Sequence, residues 1–238
     1  MLSYSTKKFL LKPYVLIQQW RYRKLPKLDR AILAANLYRP AIFQFYQAYA
    51  EKDILHTFDL DKSSTVVDIG GYVGEWAEHI ERKYNPYMHI FEPMPSAIKQ
   101  LEEKFAKNPK ISIYPWALSN YVGQENLVLK GPGSTIHTSV QSNHGKVNIA
   151  VKDAAEALED IGNIDLLKIN IEGAEYQVLP RLLEAGVINH CKGVVIQFHE
   201  WHPNAKRLRK EIRNKLAYTH QCHWNYEFVW EYWYRTVI

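Results

Sequence analysis

Cysteine is scarce in this chain: Cys191 and Cys222 are the two among 238 residues. Their spacing suits neither a zinc site nor a disulfide framework, so reduced thiols in a cytoplasmic protein are expected. No apolar run approaches the ~20 residues that span a bilayer, which leaves no candidate transmembrane helix. The opening stretch, MLSYSTKKFLLKPYVLIQQWRYRKL, has Lys7 and Lys8 but no clean apolar core and no small-residue cleavage site. A secretory signal is therefore not expected. Internal repeats and low-complexity segments are missing too. The net charge of +5 is modest, so it permits acidic partners without demanding nucleic acid.

What the chain does have is an alternation of short apolar strands and amphipathic helices. Strands are predicted at 65–69, 88–92, 111–115, 165–171 and 193–199, with helices near 75–84, 95–107, 152–161, 174–185 and 203–217. That order argues for an α/β fold, a Rossmann-like, mostly parallel sheet with helices on both faces. Two stretches break the alternation. ENLVLKGPGSTIH and KVNIAV suggest a hairpin-like insertion, with Gly131, Pro132 and Gly133 as turn residues. The C-terminal run HQCHWNYEFVWEYWYRTVI alternates aromatic and polar residues, which predicts an antiparallel edge closing the sheet. Residues 1–60 read instead as a helical, basic and aromatic extension interrupted by Pro13, Pro26 and Pro40, and residues 61–238 as one catalytic domain.

The first strand runs into VVDIGGYVGEW, an acid followed by a glycine-rich turn and a helix. Such a turn brings backbone N–H groups and a helix N-terminus close to a ligand. A dinucleotide fingerprint needs glycines at the first, third and sixth positions, and neither Gly70 nor Gly71 starts that register. A phosphate loop fails as well, since no Gly-Lys-Ser/Thr follows. The pattern Asp68-x-Gly70-x-x-x-Gly74 resembles instead the first motif of class I S-adenosylmethionine (SAM) methyltransferases. SAM has an amino-acid head and no phosphate. Glycines let the backbone approach it, and a carboxylate attracts the ammonium directly or through water. Glu92, ending the second strand, is placed to accept hydrogen bonds from the ribose hydroxyls. The bland alternative is a turn that only packs helix on strand, with Glu92 as a solvated cap.

The segments HIFEPMPSAIKQLEEKF, YPWALSN and DLLKINIEGAEYQVL resemble successive signatures of the FkbM-type methyltransferase family over roughly residues 60–200. The resemblance implies an O-methyltransferase acting on hydroxyls of sugars, polysaccharides or polyketide-type products. It implies that Asp68, Gly70, Gly71, Gly74 and Glu92 hold SAM, and that Trp116 and Ala117 flank the adenine. Two departures stand out: Asn170 replaces an aspartate common in the family, and Gly71-Tyr72 replaces its Ala-Asn. Any role needing a carboxylate at position 170 is thereby put in doubt.

Ligands in open α/β sheets sit beyond the carboxyl ends of the strands. Glu92, the Asn170/Glu172 pair and His199-Glu200 stand at three such ends. The catalytic candidates are His199, Glu172 and Lys168. His199 suits a general base at neutral pH, set against a merely hydrogen-bonded histidine at a strand end. Lys168, in an otherwise apolar strand, either positions a carboxylate or substrate or forms a structural ion pair with Glu172 or Glu175; the ion pair is preferred. HEWH (199–202) lacks the four-residue histidine spacing of a zinc-protease helix. Zinc near His190 and Cys191, or Mg²⁺ on Asp165, Glu172 and His199, is a minority reading, and no metal is assigned. NPY (85–87) resembles part of an amino-methylating signature of DNA enzymes, but it follows the first helix and not the fourth strand, which disfavours base methylation.

Lys7, Lys8, Lys12, Arg21, Arg23, Lys24, Lys27 and Arg30 are interleaved with aromatics, and KRLRKEIRNK (206–215) forms a second basic run. Peripheral contact with anionic membranes is one use for such segments. A solvated face and an N-terminal cap over the cleft are preferred, because Pro13 and Pro26 interrupt any continuous membrane-lying helix. The expectation is a SAM-dependent O-methyltransferase with a hydroxylated acceptor, a small molecule or saccharide. Its rivals are an RNA-directed methyltransferase, a non-catalytic SAM-binding protein and, third, a nicotinamide-dependent oxidoreductase. The oligomeric state is not set by anything in the sequence.

Overall fold

The computed structural model describes residues 40–128 and 146–236. The basic residues from Lys7 to Arg30 and the 131–145 loop lie outside the described residues. The chain divides into two compact units, with the boundary between Phe58 and Asp59. In the first, α1 (Pro40–Lys52) opens on a proline, which has no N–H to leave unsatisfied at a helix start. Its Phe45 and Tyr49 rings stack at 6.0 Å, and His56 Nδ1 lies 2.7 Å from Asp53 Oδ1.

The second unit is built on β1 (Thr65–Ile69), α2 (Glu75–Tyr84), β2 (Tyr87–Phe91), α3 (Pro95–Phe105) and β3 (Ile111–Tyr114). After an insertion come α4 (Ala154–Glu159), β7 (Ile164–Ile169), α5 (Glu175–Glu184), β8 (Cys191–Ile196) and α6 (Ala205–Leu216). A hairpin of β9 (His220–Tyr226) and β10 (Trp230–Arg235) ends the described chain. The seven strands run β3-β2-β1-β7-β8-β10-β9, parallel up to β8 and antiparallel thereafter. The chain steps outward from β1 to β3 and then returns to β7 on the other side of β1. The carboxyl ends of β1 and β7 thus flank the switch point where open α/β sheets bind ligands.

Because these parallel strands are buried on both faces, their sequences are nearly continuous apolar runs. Val67, Ile69, Phe91, Leu167, Ile169, Val194 and Ile196 share one core with Val178, Leu179 and Leu182 of α5 and Ile212 and Leu216 of α6. The alternate residues Val66, Met88, Ile90 and Leu166 are buried on the opposite face. The insertion forms a second, three-stranded sheet: β5 (Gly123–Val128) pairs antiparallel with β6 (Lys146–Asp153), and β4 (Ala117–Ser119) adds a parallel strand. The hairpin-like pairing is therefore as expected, with an extra strand that the sequence reading missed.

The basic run of α6 is only partly a solvated face. Arg209, 8% exposed, donates from Nε to Glu231 Oε1 at 3.0 Å; Arg213 also binds Glu231, and Trp233 Nε1 donates to it at 2.9 Å. Burying a carboxylate on β10 is tolerated because three donors converge on it. Among the described residues, no helix is long and apolar enough to cross a membrane.

Candidate active site

Two of the apolar central strands, β1 and β7, carry a charge one residue before their carboxyl ends. The parallel register sets Asp68 of β1 opposite Lys168 of β7. Lys168 Nζ donates to Asp68 Oδ1 at 2.7 Å and to the carbonyl of Gly70 at 2.8 Å, and both side chains are buried. The ammonium also lies 5.7 Å from the Trp76 ring centroid. This corrects the expected ion pair of Lys168 with Glu172 or Glu175. Those acids belong to the turn beyond β7, whereas Asp68 is the direct cross-strand neighbour. The same contact ties one oxygen of Asp68 to the protein and leaves Oδ2 to face other donors.

The turn after β1 is strained and tightly packed. Gly70 (φ +89°), Tyr72 (φ +46°) and Gly74 (φ +77°) all adopt the left-handed region. A Cβ on Gly70 would lie 2.0 Å from the Asn170 carbonyl oxygen, and one on Gly71 would lie 2.3 Å from Ile90 Cγ2. Gly70→Ala is accordingly expected to destabilise the protein by at least ~2 kcal/mol, combining backbone strain with a main-chain clash. A urea unfolding curve would check this; a midpoint equal to that of the parent would show that the turn relaxes freely.

Glu92 lies just beyond β2 and is nearly buried. Its Oε2 accepts the Tyr72 N–H at 2.8 Å, and its Oε1 accepts the Met94 N–H at 2.9 Å. The first of these bonds holds the unfavourable Tyr72 conformation in place. Burial raises the pKa of Glu92, against the lowering effect of the two backbone bonds and of Lys168. Two buried side-chain oxygens have no hydrogen-bond partner among the described residues: Asp68 Oδ2 and Asn170 Oδ1. Both flank the turn, at the ends of the adjacent strands β1 and β7. A buried acceptor without a donor is costly, so this spot suits a ligand or water that brings hydrogens.

Trp116 and Ala117 diverge. The Trp116 ring packs at 5.4 Å from Tyr114 and 6.5 Å from Phe91, on the α4 side of the sheet. There it lines a cleft of about 440 Å³ with His89, Lys152 and Glu156. Ala117 instead packs in a small cluster with Met94, Tyr72 and Val73, beside the glycine turn. The two neighbours thus have different surroundings, Trp116 the cleft beside α4 and Ala117 the neighbourhood of the glycine turn.

The turn after β7 is the second strained loop. Glu172 (φ +53°) and Gly173 (φ +101°) are both left-handed. Fully buried Glu175 starts α5, where an acid complements the helix dipole. Its Oε2 accepts the Gly173 N–H at 2.8 Å, while Oε1 accepts the His199 N–H at 2.7 Å and faces His199 Nδ1 at 3.0 Å. His199 follows β8, is 5% exposed, and has its carbonyl bound by the Tyr176 hydroxyl at 2.7 Å. Its Nε2 lies 3.7 Å from Glu172 Oε1. The Trp201 ring covers it at 4.2 Å between centroids. The sequence pointed to His199 and Glu172 by their strand-end positions. It missed the His199–Glu175 pairing, for which the only signal was a second acid three residues after Glu172.

Asp165 and Cys191 lie at the other end of the sheet, in the first residues of β7 and β8. Asp165 Oδ2 accepts the Thr65 N–H at 2.9 Å, so it cannot join Glu172 and His199 on one cation. No cluster of three His, Cys, Asp or Glu groups placed to hold a metal occurs among the described residues.

Solved structures with a similar fold include a putative rRNA-methylase from Clostridium thermocellum, at 9% identity over 81% of this chain and 96% of that one, TM-score 0.50. Others are the N-methyltransferase NodS from Bradyrhizobium japonicum WM9 in complex with S-adenosyl-L-homocysteine (10% identity, 84% and 89%, TM-score 0.46) and a precorrin-6y C5,15-methyltransferase from Geobacter metallireducens (13% identity, 76% and 85%, TM-score 0.44). At such identities the likeness concerns the fold alone. No curated protein sequence matches the chain. The decisive comparison is with the Methyltransferase FkbM domain, whose family model matches residues 68–228. That span begins at Asp68 and takes in Glu92, Asn170, Glu172 and His199, so the residues converging at the sheet switch point are those of the family domain: the chain belongs to the FkbM methyltransferase family.

Proposed function

We propose that this methyltransferase uses SAM to methylate a hydroxyl of a small-molecule or saccharide acceptor, with His199 as general base. The observation that carries the reading is the His199–Glu175 pair, which fixes one ring nitrogen on a buried carboxylate and leaves Nε2 toward Glu172. An alcohol attacks a methyl group better as its proton leaves, and a neutral imidazole can take that proton. Glu175 holds the ring in orientation and offsets the positive charge that develops on it, as a buried acid does for a catalytic histidine.

The residues around the first turn fit SAM. Its glycines let the turn fold tightly against Asn170, Ile90 and Leu101, which fixes the backbone that would face the cofactor. Asp68 Oδ2 and Asn170 Oδ1 are acceptors in need of donors, which an ammonium head or its bound water has. Glu92 keeps spare lone pairs for two ribose hydroxyls. Bound SAM would supply an activated methyl group on a sulfonium. Lys168 acts on the turn, holding the Gly70 carbonyl and Asp68 in place. Aligning acceptor oxygen and methyl carbon then contributes much of the rate, since the displacement needs little other chemistry from the protein. We place the enzyme in the cytoplasm, in keeping with two unpaired cysteines, of which Cys191 is buried with its thiol pushed up to about 12.

Glu92→Ala is expected to weaken SAM by ~1.5–3 kcal/mol, the range for a hydrogen bond to a charged group. The wild-type affinity should also depend on pH. Burial raises the Glu92 pKa, whereas donors from a ligand favour the ionised form. Binding therefore releases a proton, and affinity falls as pH drops through the raised pKa. Calorimetric titration with SAM over a pH series would test both effects. Unchanged affinity in the alanine variant would remove Glu92 from the cofactor site, and failure of the wild type to bind SAM would end the SAM reading.

A further inference from the structure

Glu92, the acid proposed to accept from the ribose hydroxyls, is held by two residues that also pack on the insertion. Its Oε2 accepts the Tyr72 N–H at 2.8 Å, and its Oε1 accepts the Met94 N–H at 2.9 Å. The side chains of both donors lead to one small cluster. There Met94 is buried with Ala97 of α3, Leu127 of β5 and Ile149 of β6, and Tyr72 and Val147 pack against them. The cluster lies apart from the core that β1, β7 and β8 share with α5 and α6. Strands β5 and β6 belong to a different sheet from β1 and β2. Among the described residues, side-chain packing and not strand pairing therefore joins them to the glycine turn. Tyr72 makes this join at a cost to its backbone. Its φ of +46° lies in a region that asparagine and glycine enter far more readily than a bulky side chain. A residue stays there only where its surroundings over-determine it. Two contacts do so here, the N–H on Glu92 and the ring on the cluster.

We propose that Tyr72 is a positioning residue through which the insertion sheet holds Glu92 in its cofactor-binding geometry. This rests on the reading of Glu92 as an acid of the SAM site. The ring fixes the turn against β5 and β6, and the left-handed backbone then aims the Tyr72 N–H at Oε2. With the ring gone from the cluster, the turn is free to relax and the N–H to leave the carboxylate. Glu92 then loses an orienting contact and a donor together. The balance of charge around it makes that loss measurable. The Met94 and Tyr72 N–H groups and Lys168 of β7 favour the ionised form, while burial and Asp68 of β1 oppose it. Removing one donor tips this balance toward the neutral acid. A change made in the insertion sheet thus reaches the ionisation of an acid that lies beyond β2. Coupling of this kind passes through packed side chains and one hydrogen bond, and needs no contact between the insertion and the cofactor.

The test uses the full chain and four variants: Tyr72→Asn, Tyr72→Phe, Leu127→Ala and, as a control in the main core, Leu216→Ala. Each is titrated with SAM by calorimetry over a pH series, and urea unfolding shows that each is folded. Asparagine suits the left-handed backbone but has no ring to reach the cluster. Tyr72→Asn should therefore bind SAM about tenfold more weakly at neutral pH, in keeping with one lost hydrogen bond to a charged group. The pH midpoint at which affinity is lost should also move upward, since the carboxylate has lost a donor. Leu127→Ala should shift both quantities the same way, less strongly, although it leaves the turn untouched. Tyr72→Phe keeps the ring and should match the parent, as should Leu216→Ala despite its lower stability. The pH midpoint is the readout that mere loosening of the fold does not move. The proposal is overturned if Tyr72→Asn keeps the parent's affinity and midpoint, or if Leu216→Ala shifts them as much. It is overturned as well if Tyr72→Phe loses affinity like Tyr72→Asn, because the hydroxyl and not the packed ring would then be at work. Should Leu127→Ala fail to fold, the two Tyr72 variants decide the matter. These outcomes leave the methyltransferase reading standing wherever the parent binds SAM. A parent chain that does not bind SAM removes that reading, and this proposal with it.

Discussion

His199→Asn is expected to lower kcat by ~10²–10⁴-fold, the usual contribution of a positioned general base, with the affinity for SAM within about twofold of the parent. The asparagine keeps a polar side chain of similar reach opposite Glu175 Oε1 but cannot accept a proton from the acceptor. Glu175→Gln should also lower kcat, by ~10-fold or more, through loss of the charge that offsets a protonated ring. Its effect on stability is separate: Glu175 is fully buried and accepts from the N–H groups of both Gly173 and His199, so an amide there sets a donor against one of them. Kinetics with an acceptor turned over by the parent, alongside SAM calorimetry on each variant, would separate the two effects. A His199→Asn enzyme with kcat within threefold of the parent would exclude the imidazole as base. Attention would then pass to positioning alone as the source of rate.

The second large effect falls on stability. Lys168→Met leaves Asp68 buried without its cation, and breaking a buried pair from one side typically costs ~3–5 kcal/mol. It also frees the Gly70 carbonyl, so the glycine turn should loosen and SAM affinity should fall with it. Asp68→Asn in the same background removes the orphaned charge and should recover a large part of the stability. It should not restore SAM binding, because the lysine that pins the turn is still missing. Urea unfolding of the two single variants and the double variant gives the coupling between the pair directly. Additive effects, with no recovery in the double variant, would show that Asp68 and Lys168 act independently despite the 2.7 Å contact.

The two strained loops give these predictions a common frame. Tyr72 and Glu172 are non-glycine residues in the left-handed region, one beyond β1 and the other beyond β7. Each is over-determined by a buried carboxylate close in space: Glu92 accepts the Tyr72 N–H, and Glu175 accepts the N–H of Gly173 next to Glu172. Strain of this kind persists where the surrounding structure insists on it, and it gathers at ligand sites. Both acids hold a loop, and in the proposed function Glu92 also faces the cofactor while Glu175 orients His199. Their replacement should therefore never be read from activity alone.

Much of this protein was legible in its sequence. The alternation of apolar strands and amphipathic helices determined a parallel sheet, because strands covered on both faces must be apolar throughout. The glycine spacing after Asp68 counted against a dinucleotide or phosphate turn, since those ligands require glycines or a lysine at fixed positions. The aromatic alternation at the C-terminus set the antiparallel edge. Local chemistry decided these features, and local chemistry is what a sequence displays. The pairings were another matter. Lys168 chose Asp68, a hundred residues away, over the nearby Glu172 and Glu175, because register between β1 and β7 sets cross-strand neighbours and no single-strand pattern encodes it. Trp116 turned toward α4 while Ala117 turned toward the glycine turn, an outcome set by the insertion that follows. Glu175 reached His199 only because α5 starts below the end of β8. Which charged groups meet in the dry interior depends on how strands are ordered and helices docked, and only the tertiary structure decides that.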